Sequence, residues 1–195
     1  MVNKKAFIFD ADGVVINRPM VFSRVLEKDH GITIKQTKDF FTGPFQECLV
    51  GTGDLKQLLP EYLNKWNWEG GVDEFLRYWF KSEHYIDLDL IKGIDTLRKR
   101  GGRFYIATNQ EKYRTEYIRS DMGLHQHFDD IFSSAYLGVT KPHKSFYDSI
   151  SSKLENHDIY FWDDDEDNVR AARETGWRAT HYSRLDDFTK VINNL

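Results

Sequence analysis

A single cysteine, Cys48, excludes an intramolecular disulfide, and a reducing cytoplasm is the natural setting for such a chain. Cys48 sits between Glu47 and Leu49 in a segment of helical character, where a small buried apolar role suits it better than that of a nucleophile. Long apolar runs are also missing. The N-terminal one is short and is broken by Asp10, so neither a secretory signal nor a membrane span is expected. A basic excess is absent too. Lys and Arg total 27 against 31 Asp and Glu, for a formal net charge of −4, whereas a general nucleic-acid binder needs a basic face to meet phosphates. Seven histidines show no zinc spacing, and His125 and His127 read as surface residues of a loop. The five tryptophans read as packing residues and not as a stacking platform. No internal repeat or low-complexity tract is present.

What remains is a 195-residue chain, 40% hydrophobic, long enough to bury one full core and support a small accessory lobe. The apolar run at residues 6–9 predicts a buried strand. After it, residues 17–89 lack strand-helix alternation and read as mostly helical, with helices expected at 20–30, 39–50, 55–65 and 73–85. Alternation then resumes: a helix from about residue 90, strand 103–107, helix 110–120, strand 130–132, helix 145–154, strand 159–162, helix 168–175 and strand 178–181. Such an order specifies an α/β fold, a Rossmann-like parallel sheet with helices on both faces, with a helical cap inserted after the first strand. The expected division is a core of residues 1–16 and 90–195 and a cap domain of residues 17–89. Links at 15–19 and 86–90 would act as hinges.

Four short elements carry chemistry. The first strand stops at Asp10, Asp12 and Gly13, and the groups just beyond a strand's carboxyl end are where ligands bind in open α/β sheets. Paired carboxylates there fit phosphoryl transfer, since a cation can neutralise one while the other handles protons. An acidic turn is the plain alternative. A calcium loop fails, because Val14, Val15 and Val21 fall where it needs an oxygen ligand, Gly and Glu. The second element is Thr108 and Asn109, a hydroxyl and an amide at a strand end. With the free N–H groups of the following helix they offer an anion site, although helix capping is the commoner use of such residues.

The third element is Lys141, held before Pro142 as a fixed cation. The fourth is the acidic stretch Asp163, Asp164, Asp165 and Asp167, leading to Asn168 and Val169. Here a calcium loop comes closer, through Asp163, Asp165, Asp167 and Glu174. It is disfavoured by Asn168 at the turn position, by Arg170 and by the strand that precedes it. A solvated acidic helix cap is a further alternative.

In this order the four elements resemble the haloacid dehalogenase superfamily over nearly the whole chain. The resemblance implies a nucleophilic Asp10 and an acid/base Asp12. It implies phosphate contacts from Thr108 and Lys141, with Asn109 as a weaker candidate. It also implies magnesium held by Asp10, the backbone carbonyl of Asp12, and Asp164. Asp163 would either orient Lys141 or hold a metal-bound water. An aspartate at position 12 favours phosphatases over the dehalogenase and phosphonate-cleaving members. The implied function is a magnesium-dependent phosphatase acting on small phosphorylated metabolites, sugar phosphates among them, with no nucleic-acid or membrane partner. A phosphomutase of the same fold and a catalytically idle module that binds phospho-ligands or a protein are the alternatives. In the cap, Arg18 is the candidate substrate contact, while Arg77, Lys81 and His84 read as a solvated face. Oligomeric state leaves no mark on the sequence.

Overall fold

Strand β1 (Lys4–Phe9) alternates its side chains between two cores, as the two-residue period of a strand requires. Phe7 and Phe9 pack on one face with Phe104, Ile106 and Trp162. Ala6 and Ile8 pack on the other with Ala107, Phe161 and Ile159. A sheet buried on both sides must carry helices on both sides, and it does. The computed structural model describes residues 4–194. In it β1 lies at the centre of a five-stranded parallel sheet completed by β2 (Arg103–Thr108), β3 (Asp130–Ser133), β4 (His157–Asp163) and β5 (Arg178–His181).

Spatial order is β3-β2-β1-β4-β5. The chain runs outward from β1 to β3 on one side and returns to β4 on the other, which makes the carboxyl end of β1 a topological switch point. Register sharpens this placement: Phe9 pairs with both Ile106 and Trp162. Asp10, Thr108, Asp163 and Asp164 therefore leave the sheet at one edge.

Residues between β1 and β2 form the helices α1 (Phe22–His30), α2 (Ile34–Thr42), α3 (Pro44–Leu49), α4 (Leu55–Lys65), α5 (Val72–Ser82) and α6 (Leu88–Arg98). The first five enclose their own apolar cluster of Phe22, Leu26, Phe40, Leu63, Phe75 and Trp79. α6 packs Leu90, Ile91 and Ile94 on the sheet instead. The two links to this helical insertion are tied together: Asn17 N–H donates to Tyr85 O at 2.8 Å and Asp87 N–H to Val15 O at 2.9 Å. Later elements are α7 (Lys112–Glu116), α8 (Ser134–Leu137), α9 (Lys144–Lys153), α10 (Glu166–Glu174) and α11 (Leu185–Ile192). No helix among the described residues is long and apolar enough to cross a membrane.

Several boundaries differ from the sequence expectation. The helix expected at 39–50 is two helices, broken at Gly43 with Pro44 opening the second, because proline brings no N–H to continue the ladder of the first. α2 begins earlier, at a Thr33–Gln36 capping box. The helix expected at 110–120 starts at Lys112 and widens after Glu116 into a π turn, Tyr117–Asp121. α11 was not expected at all; its Phe188 closes one edge of the core against Phe9 and Trp162.

Candidate active site

The chain leaves β1 through a tight turn in which Val15 and Ile16 N–H groups donate to Ala11 O at 3.0 and 2.8 Å. That turn returns Asp10 and Asp12 to one cavity of about 540 Å³. Gly13, Arg18, Thr108, Asn109, Lys141 and Asp164 line it as well. Gly13 has φ +82, and a Cβ there would come within 2.1 Å of Asp164 Oδ2. Only glycine lets the Asp164 carboxylate lie against the turn.

Lys141 is the electrostatic centre. Its ammonium is buried and lies 2.8 Å from Asp10 Oδ2 and 2.6 Å from Asp163 Oδ2. Asn109 positions it, donating from Nδ2 to Lys141 O at 3.0 Å and accepting from Lys141 N at 2.8 Å. Asp163 is held in turn by the Asp165 N–H at 2.9 Å and by Asn168 Nδ2 at 3.0 and 3.2 Å. Asp163 thus has its oxygens engaged by the ammonium and these donors. Asp10 Oδ1 accepts from the Ala11 N–H at 2.7 Å.

Burial pushes the Asp10 carboxyl up to about 8; the Lys141 ammonium opposes the shift, while Asp163 and Asp12 add to it. Burial also works against the charged form of Lys141, but Asp10 and Asp163 outweigh it and hold the ammonium above its ordinary range. Asp164 is raised as well, first by partial desolvation and then by Asp163. Asp10, Asp163 and Asp164 each offer a carboxylate oxygen, and these oxygens lie within 4.8 Å of one another. All-oxygen, anionic and crowded, this donor set fits a small hard cation such as magnesium.

On the far side of the turn, Asp12 meets the helical insertion. Arg18 NH1 lies 2.5 Å from Asp12 Oδ1, and Gln110 Nε2 donates to Asp12 Oδ2 at 2.6 Å. Arg18 also reaches Glu83, at 3.3 Å, and buried Arg114 spans Glu83 and Asp12 at 3.4 and 3.7 Å. Glu83 accepts from Trp79 Nε1 at 3.1 Å and from Phe22 N–H at 3.3 Å. Burial holds the Glu83 carboxyl above its usual range despite the two guanidiniums.

Asp10, Asp12, Thr108, Asn109, Lys141, Asp163, Asp164 and Arg18 are therefore brought to one place, although each has its own task. Asn109 lines the cavity, but its amide is spent on the backbone of Lys141. The helix start after Thr108, expected to face an anion, is capped: Glu111 accepts from the Tyr113 and Arg114 N–H groups, and Gln110 N–H donates to Ser134 Oγ. Arg77, Lys81 and His84 are exposed, and His84 Nδ1 bonds the Tyr117 hydroxyl at 2.9 Å. Sequence inspection missed Gln110, Glu83 and Arg114. The first adjoins the Thr108-Asn109 pair, which is its only signal; the other two carry none.

A sequence model described as haloacid dehalogenase-like hydrolase matches residues 4–176. The chain belongs to this family. It is accordingly a hydrolase of the haloacid dehalogenase (HAD) class. Solved HAD structures share its fold. One is a HAD family enzyme of Bacteroides thetaiotaomicron, in complex with magnesium and inorganic phosphate, which superposes with a TM-score of 0.79 at 16% identity over 96% of this chain and 98% of that one. A predicted HAD-like hydrolase of Porphyromonas gingivalis gives 0.77 at 19% identity, covering 98% and 97%. The L-2-haloacid dehalogenase of Xanthobacter autotrophicus, with chloropropionic acid covalently bound, gives 0.64 at 17% identity, covering 98% and 83%. A curated relative, the drimenol cyclase drtB of Aspergillus calidoustus, is 35% identical over 72 residues. That match covers 35% of this chain and only 13% of the relative's length.

Proposed function

We propose that this HAD hydrolase is a magnesium-dependent phosphatase of small phosphorylated metabolites, acting through an aspartyl-phosphate on Asp10. The observation that carries this reading is the pairing of Asp10 with Asp12 at one cavity mouth, with the buried Lys141 ammonium set against Asp10. Dehalogenation needs the nucleophile but no second aspartate to protonate a leaving oxygen.

Asp10, the backbone carbonyl of Asp12, and Asp164 would hold magnesium, which supplies charge neutralisation and Lewis acidity at the phosphoryl oxygens when bound. Asp163 holds Lys141 in place. A carboxylate oxygen of Asp10 attacks phosphorus and the bond to the leaving oxygen breaks, while Asp12 delivers a proton to that oxygen. Asp12, now ionised, takes a proton from the water that attacks the acyl phosphate, releasing phosphate and restoring Asp10. Lys141 and Thr108 face the oxygens on which charge accumulates, where preorganised donors contribute most. Residues 17–89 act as a cap, and the paired links at Val15, Asn17, Tyr85 and Asp87 form its hinge.

The test is phosphate release from a panel of monoesters with and without magnesium, alongside Asp10→Asn and Asp12→Asn. Both variants should fold and lose turnover. A fully active Asp10→Asn excludes the covalent route. Accumulation of an isomerised phosphate would assign a mutase, and an inert wild type would assign a binding module.

A further inference from the structure

A second cavity, of about 390 Å³, opens on the far side of Asp12 from the carboxylate cluster. It shares Asp12, Arg18, Val21 and Asn109 with the first, so the two adjoin at the acid/base residue. Its wall is apolar: Phe22, Ile34, Phe41, Phe45, Leu49 and Trp79. Phe41 and Phe45 each lie against Trp79, with ring centroids 5.4 and 5.5 Å apart, and both remain only partly buried.

The threonine hydroxyls of α2 that line this cavity are already committed. The Thr37 hydroxyl donates to Ile34 O at 3.2 Å and the Thr42 hydroxyl to Lys38 O at 2.9 Å, both within their own helix. Arg18 and Arg114 are ion-paired with Glu83 and Gln110 Nε2 is taken by Asp12, while Arg18 Nε and Nη1 and Arg114 Nη2 make no hydrogen bond of their own. Lys38 stands exposed at the rim. Beyond the guanidiniums at the Asp12 end, a polyol entering here would give up water and find few donors or acceptors in exchange, at a cost for every unmatched hydroxyl. An aliphatic or aromatic group would only gain.

We infer that the second cavity receives the organic part of the substrate, and that this part is apolar: the leaving group is a lipophilic alkyl, isoprenoid-like or aryl alcohol and not a sugar. This rests on the phosphatase reading, because that reading puts the leaving oxygen at Asp12, and Asp12 is where the apolar cavity begins. Arg18 and Glu83 then form the polar collar between the phosphoryl half and the apolar half of the site.

Binding and turnover separate the two claims. Affinities of methyl-, butyl- and hexylphosphonate for the magnesium-loaded protein, measured by calorimetry, should rise about fourfold per buried methylene, or about a hundredfold from methyl to hexyl once partial burial is allowed for. Thr42→Trp, at an exposed position on the cavity wall, should weaken hexylphosphonate about tenfold or more and leave methylphosphonate unchanged. Leu49→Gln should weaken the hexyl compound without filling space, and the thermal transition of each variant checks its fold. Affinity independent of chain length, or tighter binding of a sugar phosphate than of hexylphosphonate, overturns the inference. Chain-length-dependent binding without phosphate release from alkyl phosphates would uphold the second cavity as the site of an apolar organic group and defeat the phosphatase reading, and with it the leaving-group role; release at a rate indifferent to chain length would do the reverse.

Discussion

Replacing Lys141 by Met should destabilise the protein by about 3–5 kcal/mol, the usual cost of leaving a buried ion-pair partner uncompensated. The ammonium has a side-chain exposure of 1% and bridges Asp10 at 2.8 Å and Asp163 at 2.6 Å, the latter fully buried. Methionine keeps an unbranched stem of similar volume while losing the ammonium, which also lies 5.6 Å from the centre of the Phe161 ring, so the loss reports charge and not a cavity. For a chain of this length each kcal/mol lowers the midpoint by roughly 2–4 °C, which gives a fall of about 6–20 °C. Urea denaturation and thermal melts at pH 7.5 without divalent metal measure it. Adding Asp163→Asn to the variant should recover part of the loss, because it removes the stranded charge, and the coupling comes from a double-mutant cycle. A single variant within about 1 kcal/mol of wild type would refute the placement of Lys141 as the buried counter-charge.

Glu111 gives a pH test away from the carboxylate cluster. Burial, opposed by the Tyr113 and Arg114 N–H bonds, pushes its carboxyl up to about 7 from an ordinary 4.5, so its stabilisation is full below pH 4.5 and is lost as pH rises through 7. Between pH 4.5 and 8 wild type should lose about 3 kcal/mol relative to Glu111→Gln in urea titrations, and parallel curves would exclude this. Gly13→Ala forces a side chain to φ +82 and against Asp164. It should cost about 1–3 kcal/mol of stability and weaken magnesium about tenfold or more by calorimetry; unchanged metal affinity would remove Asp164 from the ligand set. Glu83→Gln leaves buried Arg114 short of its counter-charge and should cost about 3 kcal/mol, whereas a neutral outcome would mean that Asp12 alone holds Arg114.

What the sequence made legible was chemistry that is local. Strand ends are marked by apolar runs stopping at Asp10, Thr108 and Asp163, and once those runs pair in parallel register the three ends must meet. The helix Leu55–Lys65 and the strand Arg178–His181 were readable because strong punctuation bounds them. The break at Gly43 was not, because its flanks are both helix-forming, and the start of α2 at the Thr33–Gln36 capping box was missed as well. α11 escaped because its apolar face is short and its burial depends on Trp162 and Phe9, far away in the chain. Arg18 was picked out by its place after the first motif, but its partner Glu83 and the buried Arg114 were hidden for a related reason. A charged residue is taken as solvated until its partner is known, and these partners come from three separate segments. Asp163 left two roles open on sequence grounds, and its 2.6 Å bond to Lys141 is the contact the structure adds.

The most direct measurement is mass spectrometry of acid-quenched Asp12→Asn after incubation with magnesium and an aryl phosphate whose leaving group departs without a proton. The first half-reaction then needs no general acid and the second lacks its base, so a phosphoryl group should accumulate on the peptide that contains Asp10. Turnover by wild type with no phosphorylated peptide in the variant, or with the phosphoryl group on any residue other than Asp10, would contradict the account.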